Sequence, residues 1–477
     1  MTSSEMSELG RTGPAEADCC EIYAAMTPAS RRCAGEAAAY LPGGDSRTPL
    51  FHAPYPLGFE EGRGCRVVDL DGNELLDFTG NHSSLIHGYG HPLLLEAVAD
   101  QLGKGTAFPG LTRPQVDFAR QLCERVESLE LVRFTNSGTE ATLQAVRAAR
   151  AYTGRHGVAK IEGGYNGTWD EVMVSTHPSA EEAGDLERPA AVPATEGLGP
   201  QVESGVLVLP FNDEAATRRL LEERGASVAA VVVEPVLGSA GMIPADAHYL
   251  RVLREITRRL GIVLIFDEVI SFRVAYGGAQ EHYGVSPDLT CLGKAIGGGF
   301  PLGVVGGRSD IMAVFDPSEH PPRVPHPGSY NANPLSLAAG AASLELLTQG
   351  ETDRLNRHGD ALRSELSAAF AETGLAVQVT GLGSLFGIHF LPRRVKSYRD
   401  TLCSDKDCRH RLFLGLIGEG ILIDPRGTGC LSSAVGQREL DEFVGAVREV
   451  APSLAEADDL PANQLSRTGG GEDERER

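Results

Sequence analysis

Short apolar runs without alternation, each closed by a glycine or a carboxylate, recur along the middle of the chain between stretches of helical period. Residues 262–266 form one such run, bounded by Gly261 and ending in Asp267, and residues 229–233 form another that ends in Glu234. An unbroken apolar run of this length suits a strand covered on both faces. Residues 157–161 read as a further short strand, and residues 131–135 as a strand that runs into a helix. Residues 213–224 carry an amphipathic helical pattern, and residues 249–260 place apolar side chains at 250, 253, 256 and 260 before stopping at Gly261. The latter segment reads as the crossover helix into the Asp267 strand. Strands alternating with helices predict a mostly parallel, doubly wound α/β sheet. In such sheets ligands collect at the C-terminal ends of the strands, where Glu234 and Asp267 stand. Residues 66–78 read as two strands around the turn Asp71-Gly72-Asn73, and from about Leu335 the pattern changes to long helices with a small sheet.

Two groups at this sheet edge point to a chemistry. Lys294 follows a second apolar run and precedes Gly297, Gly298 and Gly299, which let backbone come close to a bulky ligand. A carboxylate and an amine at neighbouring strand ends are what pyridoxal phosphate chemistry requires. The lysine condenses with the aldehyde, and the aspartate keeps the pyridine nitrogen protonated so that the ring can accept carbanion electrons. Taken singly, Asp267 could cap a helix and Lys294 could be a surface charge; together, in these surroundings, they read as a site. Residues 136–140, Asn-Ser-Gly-Thr-Glu, carry helix-start signals, and free N–H groups at such a start make an anion site. A Walker loop is excluded by the absent Gly-Lys-Ser/Thr. The turn-rich residues 40–47 place Arg47 in an ordered loop, where its planar guanidinium suits a carboxylate. His82, His87 and His91 are interrupted by glycines and have no evident carboxylate pairing, so no metal is expected there. Residues 177–204, rich in Pro, Ala, Glu and Gly without periodicity, form a long connection that is either an active-site lid or simply mobile.

Composition narrows the class. A chain of 477 residues with 42% hydrophobic content suits two intimately connected domains with ample core. A formal net charge of −22 repels nucleic acid and anionic membrane surfaces and leaves a small molecule as the expected partner. Nine cysteines, odd in number and scattered, lack zinc spacing and read as reduced thiols in a cytoplasm. Residues 1–20 are polar and acidic with no apolar core, and no apolar stretch is long enough to span a bilayer. Residues 1–20 and 456–477 are expected to be disordered.

Phe266-Asp267-Glu268-Val269, then Pro287 to Lys294, then the Gly-Gly-Gly-Phe-Pro-Leu-Gly-Val of residues 297–304, resemble in order and spacing the class III aminotransferases. That family includes the glutamate-1-semialdehyde aminomutases and the β-amino-acid aminotransferases, and the resemblance runs from about residue 40 to about residue 450. It implies fold type I of the pyridoxal phosphate enzymes. The large domain would span residues 105–334, and a smaller α+β domain would combine residues 21–104 with 335–455. Lys294, Asp267 and Glu234 match catalytic positions. Ser137, Gly138 and Thr139 match the cofactor phosphate cradle, Tyr165 the aromatic on the cofactor ring, and Val269 a further cofactor contact. Asn166 stands where the family usually has a histidine. Ser329 matches a hydroxyl residue that reaches the cofactor phosphate of the neighbouring subunit, which implies a homodimer with shared active sites.

The same resemblance distributes the substrate groups. Asn81 and His82 fall in the family's substrate-pocket loop. Residues 42–57 look like the segment of the β-phenylalanine aminotransferases whose arginine, here Arg47, holds the substrate carboxylate. Pro425-Arg426-Gly427 also matches the β-amino-acid aminotransferases, whereas the aminomutase pattern lacks the arginine and usually has a glutamate close by, which residues 427–429 do not supply. The expectation is therefore a ping-pong aminotransferase taking an amino acid, a β-amino acid by preference, and passing its nitrogen to a 2-oxo acid such as 2-oxoglutarate or pyruvate. The nearest rival is a 2,1-aminomutase. A rival of another class, a non-catalytic cofactor-binding sensor, is disfavoured by the joint presence of Lys294, Asp267 and Glu234.

Overall fold

The unalternating apolar runs become inner strands of one sheet. In chain order its strands are β1 (Leu131–Thr135), β2 (Gly157–Ile161), β3 (Val206–Leu209), β4 (Val228–Val233), β5 (Val263–Asp267), β6 (Leu289–Gly293) and β7 (Gly303–Gly307). The computed structural model, which describes residues 14–318 and 321–458, arranges these seven strands in the order β1-β7-β6-β5-β4-β2-β3. From β6 to β3 every pairing is parallel. β7 alone runs against its neighbours, antiparallel to both β6 and β1. Every residue of β4, β5 and β6 is buried, which is why their sequences show no alternation. The glycines of β7 are required by proximity: a Cβ at Gly303 would overlap the Ser137 carbonyl oxygen, and one at Gly307 the Asp288 carbonyl oxygen.

Two helices fix the edge where β1 and β5 present their ends. Helix α1 (Gly138–Thr153) is capped by Ser137, whose hydroxyl accepts from the Glu140 N–H, while the Glu140 carboxylate accepts from the Asn136 N–H at 2.9 Å. Its buried Ala141, Ala145, Ala148 and Ala149 bring it close to the sheet, where they share a core with Val232 and Ile265. Helix α2 (Ala247–Leu260) buries Leu250, Leu253 and Ile256 against Leu264 and Phe266. It ends at Gly261, whose φ of 63° turns the chain into β5.

The smaller domain draws on both ends of the chain. Strands Phe59–Arg63, Arg66–Asp69 and Glu74–Asp77 form a meander, and Ile421–Leu422 joins it in parallel beside Glu74–Asp77. The predicted turn is present: the Asp69 carboxylate accepts from the N–H groups of Asp71 and Asn73. A second sheet of Val377–Thr380, Leu385–Phe390 and Thr428–Cys430 and the helices Gln349–Glu372 and Gln437–Asp458 complete the layer. One core unites Leu75, Leu76 and Phe78 with Leu366, Phe386 and Phe443. Helix Pro14–Met26 covers residues 14–20; residues 1–13 and 459–477, assigned to disordered ends from sequence, lie outside the described residues. Among the described residues no helix is long and apolar enough to cross a membrane.

Because β7 meets the start of α1 at Gly303, Gly303→Ala is expected to lower stability by about 1 to 3 kcal/mol through overpacking against backbone that cannot rotate away. Urea unfolding of the cofactor-free protein measures this, and an unchanged midpoint would show that strand and helix start can part.

Candidate active site

Each charged group of the site stands where a strand ends. Asp267 closes β5 and is only 4% exposed. The Asn166 side-chain amide donates to its Oδ2 at 2.9 Å and the Val269 N–H to its Oδ1 at 3.1 Å. Glu234 follows β4, equally buried, and accepts from the Tyr165 N–H at 2.8 Å and from the Gly238 N–H at 3.1 Å. Burial pushes both carboxyls above their ordinary range, and these donors pull against it. Lys294 follows β6, which pairs with β5 so that Cys291 lies beside Asp267. Burial drives its amine down to about 8, opposed first by Glu234 and then by Asp267. Its φ of 49° is a left-handed conformation at a residue with a side chain, which costs about 1 to 2 kcal/mol and is held by its surroundings.

Two cavities meet at Lys294. The smaller, about 370 Å³, is lined by Asn81, Ser137, Gly138, Thr139, Tyr165, Asn166, Glu234, Asp267, Val269 and Lys294. It fits pyridoxal phosphate on the chemistry of its donors. The N–H groups of Gly138 and Thr139 sit in the first turn of α1, where no intrahelical acceptor exists, and Ser137 and Thr139 add hydroxyls. A buried carboxylate, Asp267, and the amine of Lys294 line the same cavity, with the aromatic Tyr165. Asn166 takes up the Asp267 oxygen that it faces, so the amide in place of the family's histidine has a defined partner. Ser329 is exposed and lies outside both cavities of its own chain.

The larger cavity, about 940 Å³, is lined by Arg47, His82, Arg426 and Lys294 and has an apolar wall that includes Met173, Pro178, Val192, Pro193, Met242 and Ile270. Arg47 donates from Nη1 to the Asn81 side-chain oxygen at 2.8 Å. Gly80, Asn81, His82 and Ser83 all have positive φ, 50°, 49°, 53° and 68°, a left-handed turn that sets Asn81 toward Arg47 and His82 toward Asp424. His82 Nδ1 is 3.3 Å from Asp424 Oδ2. Arg426 grips the same carboxylate with Nε at 2.8 Å and Nη2 at 2.9 Å. Burial alone would raise Asp424, yet the Arg426 guanidinium and His82 hold it well below the usual carboxylate range. Residues 427–429 supply no carboxylate, as the sequence shows, and Asp424 meets Arg426 from the other side of the turn. With Nε and one Nη2 N–H given to Asp424, Arg426 keeps its outer Nη1–Nη2 edge for a ligand. The wall residues, and Cys430 in the same lining, carry no signal in the sequence; Pro178, Val192 and Pro193 come from the connection 177–204, which has no period.

A family model described as aminotransferase class-III matches residues 51–435. The chain is 39% identical over 417 residues to the glutamate-1-semialdehyde 2,1-aminomutase of Methanothermobacter thermautotrophicus, covering 87% of this chain and 96% of that protein. It is 38% identical over 432 residues to the beta-phenylalanine transaminase of Variovorax paradoxus, covering 90% of this chain and 94% of that one. Among solved structures, an omega-transaminase from Sphaerobacter thermophilus superposes with a TM-score of 0.87 at 46% identity, covering 89% of this chain and 98% of that one.

With the Lys294 amine at about 8, its neutral, condensing form grows as pH rises through that value. Uptake of pyridoxal phosphate by the apoprotein is expected to quicken up to about pH 8 and to level off above it. Stopped-flow absorbance measures this; a rate that is flat from about pH 6.5 to about pH 9.5 would place the amine outside this environment.

Proposed function

The chain belongs to the class-III aminotransferases, pyridoxal phosphate enzymes, and from that membership we propose that it transfers the amino group of an amino acid to a 2-oxo acid in two half-reactions. A β-amino acid with an apolar side chain is the preferred donor. One observation supports this reading above others: Arg47 and Arg426 line a single cavity with Lys294, and the wall beside them is apolar. A cavity with two cationic groups suits a donor and an acceptor that each carry a carboxylate, and the wall suits the donor's side chain.

When bound, pyridoxal phosphate supplies an aldehyde that takes the substrate nitrogen and a ring that accepts the electrons left at the substrate carbon. The residues of the chain do the rest. The first N–H groups of α1, with Ser137 and Thr139, would hold the phosphate, Asp267 would keep the pyridine nitrogen protonated, and Tyr165 would pack on the ring. Arg47, held by Asn81, orients the donor carboxylate. Lys294 Nζ removes the proton from the substrate carbon and returns it on the far side of the transfer. Arg426, held by Asp424, receives the acceptor's carboxylate through its outer Nη1–Nη2 edge. The enzyme is read as a cytoplasmic homodimer in which Ser329 serves the neighbouring subunit's phosphate, in keeping with its position outside both cavities of its own chain.

Asp424 favours a second reading, because a carboxylate near this edge belongs to the aminomutase pattern. In that reading the nitrogen returns to an adjacent carbon of the same molecule and no keto acid is released. Single half-reactions, followed by cofactor absorbance, separate the two. Arg426→Gln keeps a hydrogen bond to Asp424 and is expected to slow the half-reaction with 2-oxoglutarate by about tenfold to a hundredfold in specificity, the size of one charge-assisted contact, with the donor half little changed. Arg47→Ala should do the reverse. An isomerisation of glutamate 1-semialdehyde that persists in Arg426→Gln and gains nothing from added 2-oxo acid would replace amino transfer with the aminomutase.

A further inference from the structure

The wall of the larger cavity is built by a segment with little regular structure of its own. Residues 173–194 supply Met173, His177, Pro178, Val192, Pro193 and Ala194 to the lining. Their regular pieces are the two-residue strands Gly184–Asp185 and Arg188–Pro189 and a bridge between Val174 and Pro193. Pairings this short do not fix a surface by themselves. The segment's two arms are joined by a few bonds, from the Ser175 N–H to the Val192 carbonyl and from the Ala194 N–H to the Met173 carbonyl, and polar side chains from outside grip its carbonyls as well.

Arg399 is the centre of that grip. Its Nε and Nη2 hold the two oxygens of Glu162 at 2.8 Å each, Nη1 donates to the Gly184 carbonyl at 2.9 Å, and Nη2 to the Ala183 carbonyl at 2.5 Å. Glu162 is 4% exposed, so this fork is desolvated on its acid side. Next to it, the Tyr398 hydroxyl donates to the Pro178 carbonyl at 2.8 Å. The contact is close enough that a Cβ at Gly163, whose φ is 76°, would overlap the Tyr398 side chain. From β2, fully buried Lys160 donates to the carbonyls of Val174 at 2.6 Å and Gly164 at 2.9 Å, tying the start of the wall to the loop that carries Tyr165. Ser397 and Asp400 form a capping box that fixes the turn holding Tyr398 and Arg399. Lys160 stands in β2 and Glu162 directly follows it, while Tyr398 and Arg399 belong to the smaller domain, so the wall is clasped from both.

We propose, on the amino-transfer reading of this cavity, that Tyr398 and Arg399 are positioning residues for the substrate: by holding the carbonyls of Pro178, Ala183 and Gly184 they fix the apolar wall and set the bulk of donor side chain that it admits. The clasp also makes a wall rather than a lid of the stretch it holds, residues 178–184. A lid would have to break a desolvated fork at every turnover, whereas a wall keeps it.

Two conservative variants test this. Tyr398→Phe removes one hydroxyl, and Arg399→Lys leaves a cation opposite Glu162 while losing the fork to the carbonyls; Arg399→Ala is avoided because it would strand a buried carboxylate. Hydrogen exchange of amides 174–194 in the cofactor-free protein is expected to quicken about tenfold or more, independently of catalysis. In the donor half-reaction, KM for a β-aryl β-amino acid is expected to rise about threefold to thirtyfold, while kcat, KM for β-alanine and cofactor affinity stay within about twofold. Equal losses with both donors together with weaker cofactor binding would overturn the proposal in favour of a general structural role, and unchanged exchange and KM would overturn it outright. If the unaltered enzyme converts neither donor, amino transfer itself is refuted, and the exchange rates alone then uphold or overturn the clasp.

Discussion

Bringing one lysine and two carboxylates into the dry end of a sheet is the constraint from which the rest of this molecule follows. A charge moved out of water is costly unless fixed dipoles replace its hydration. Here the replacements are specific: the N–H groups of Tyr165, Gly238 and Val269 and the amide of Asn166 each meet an oxygen of Glu234 or Asp267. The loops that leave β2, β4 and β5 therefore take their shapes from the carboxylates they serve. Lys294 accepts a left-handed backbone at the end of β6, and the glycines of β7 let that strand lie close to the start of α1. The buried inner strands are the complement of this edge, since a sheet covered on both faces is what makes its end dry.

A second arrangement of charge governs the larger cavity. Arg426 is held by Asp424 through its Nε–Nη2 edge, so its outer Nη1–Nη2 edge has a set direction. Arg47 is held more loosely, by one bond to an asparagine on a left-handed turn. The two arginines thus differ in stiffness: one is braced by a forked bond to a buried carboxylate and the other rests on an exposed loop. A rigid cation suits a ligand group of constant position, and a mobile one suits groups that vary in reach.

The parts of this plan that a sequence shows are those written as local pattern. β4 and β5 were legible because burial on both faces leaves an unbroken apolar run, and Asp267 and Lys294 because they stand at strand ends within distinctive neighbours. Helix α1 was legible from its caps. The direction of β7 was not, since Gly-Val-Val-Gly-Gly encodes neither an alternation nor an orientation. Asp424 went unrecognised because it meets Arg426 across a tight turn, where no periodic rule applies. The wall residues were hidden for a related reason: they become neighbours only when Glu162 and Arg399, 237 positions apart, close on each other. Contacts of that separation leave no trace in a window of ten or twenty residues.

The pairing of Ile421 with Leu76 has a consequence for how the chain is made. The strand at Glu74–Asp77 leaves the ribosome long before its parallel neighbour exists; at about 5 to 20 residues per second the interval is roughly 20 to 70 s. The large sheet, whose strands lie between Leu131 and Gly307, is synthesised entirely within that wait. Leu75, Leu76 and Phe78, all buried in the finished protein, spend it without the helices and strand that cover them. The meander is thus born early and completed late, and during that interval the nascent chain carries an apolar face that the helix Gln349–Glu372 and the elements after it close.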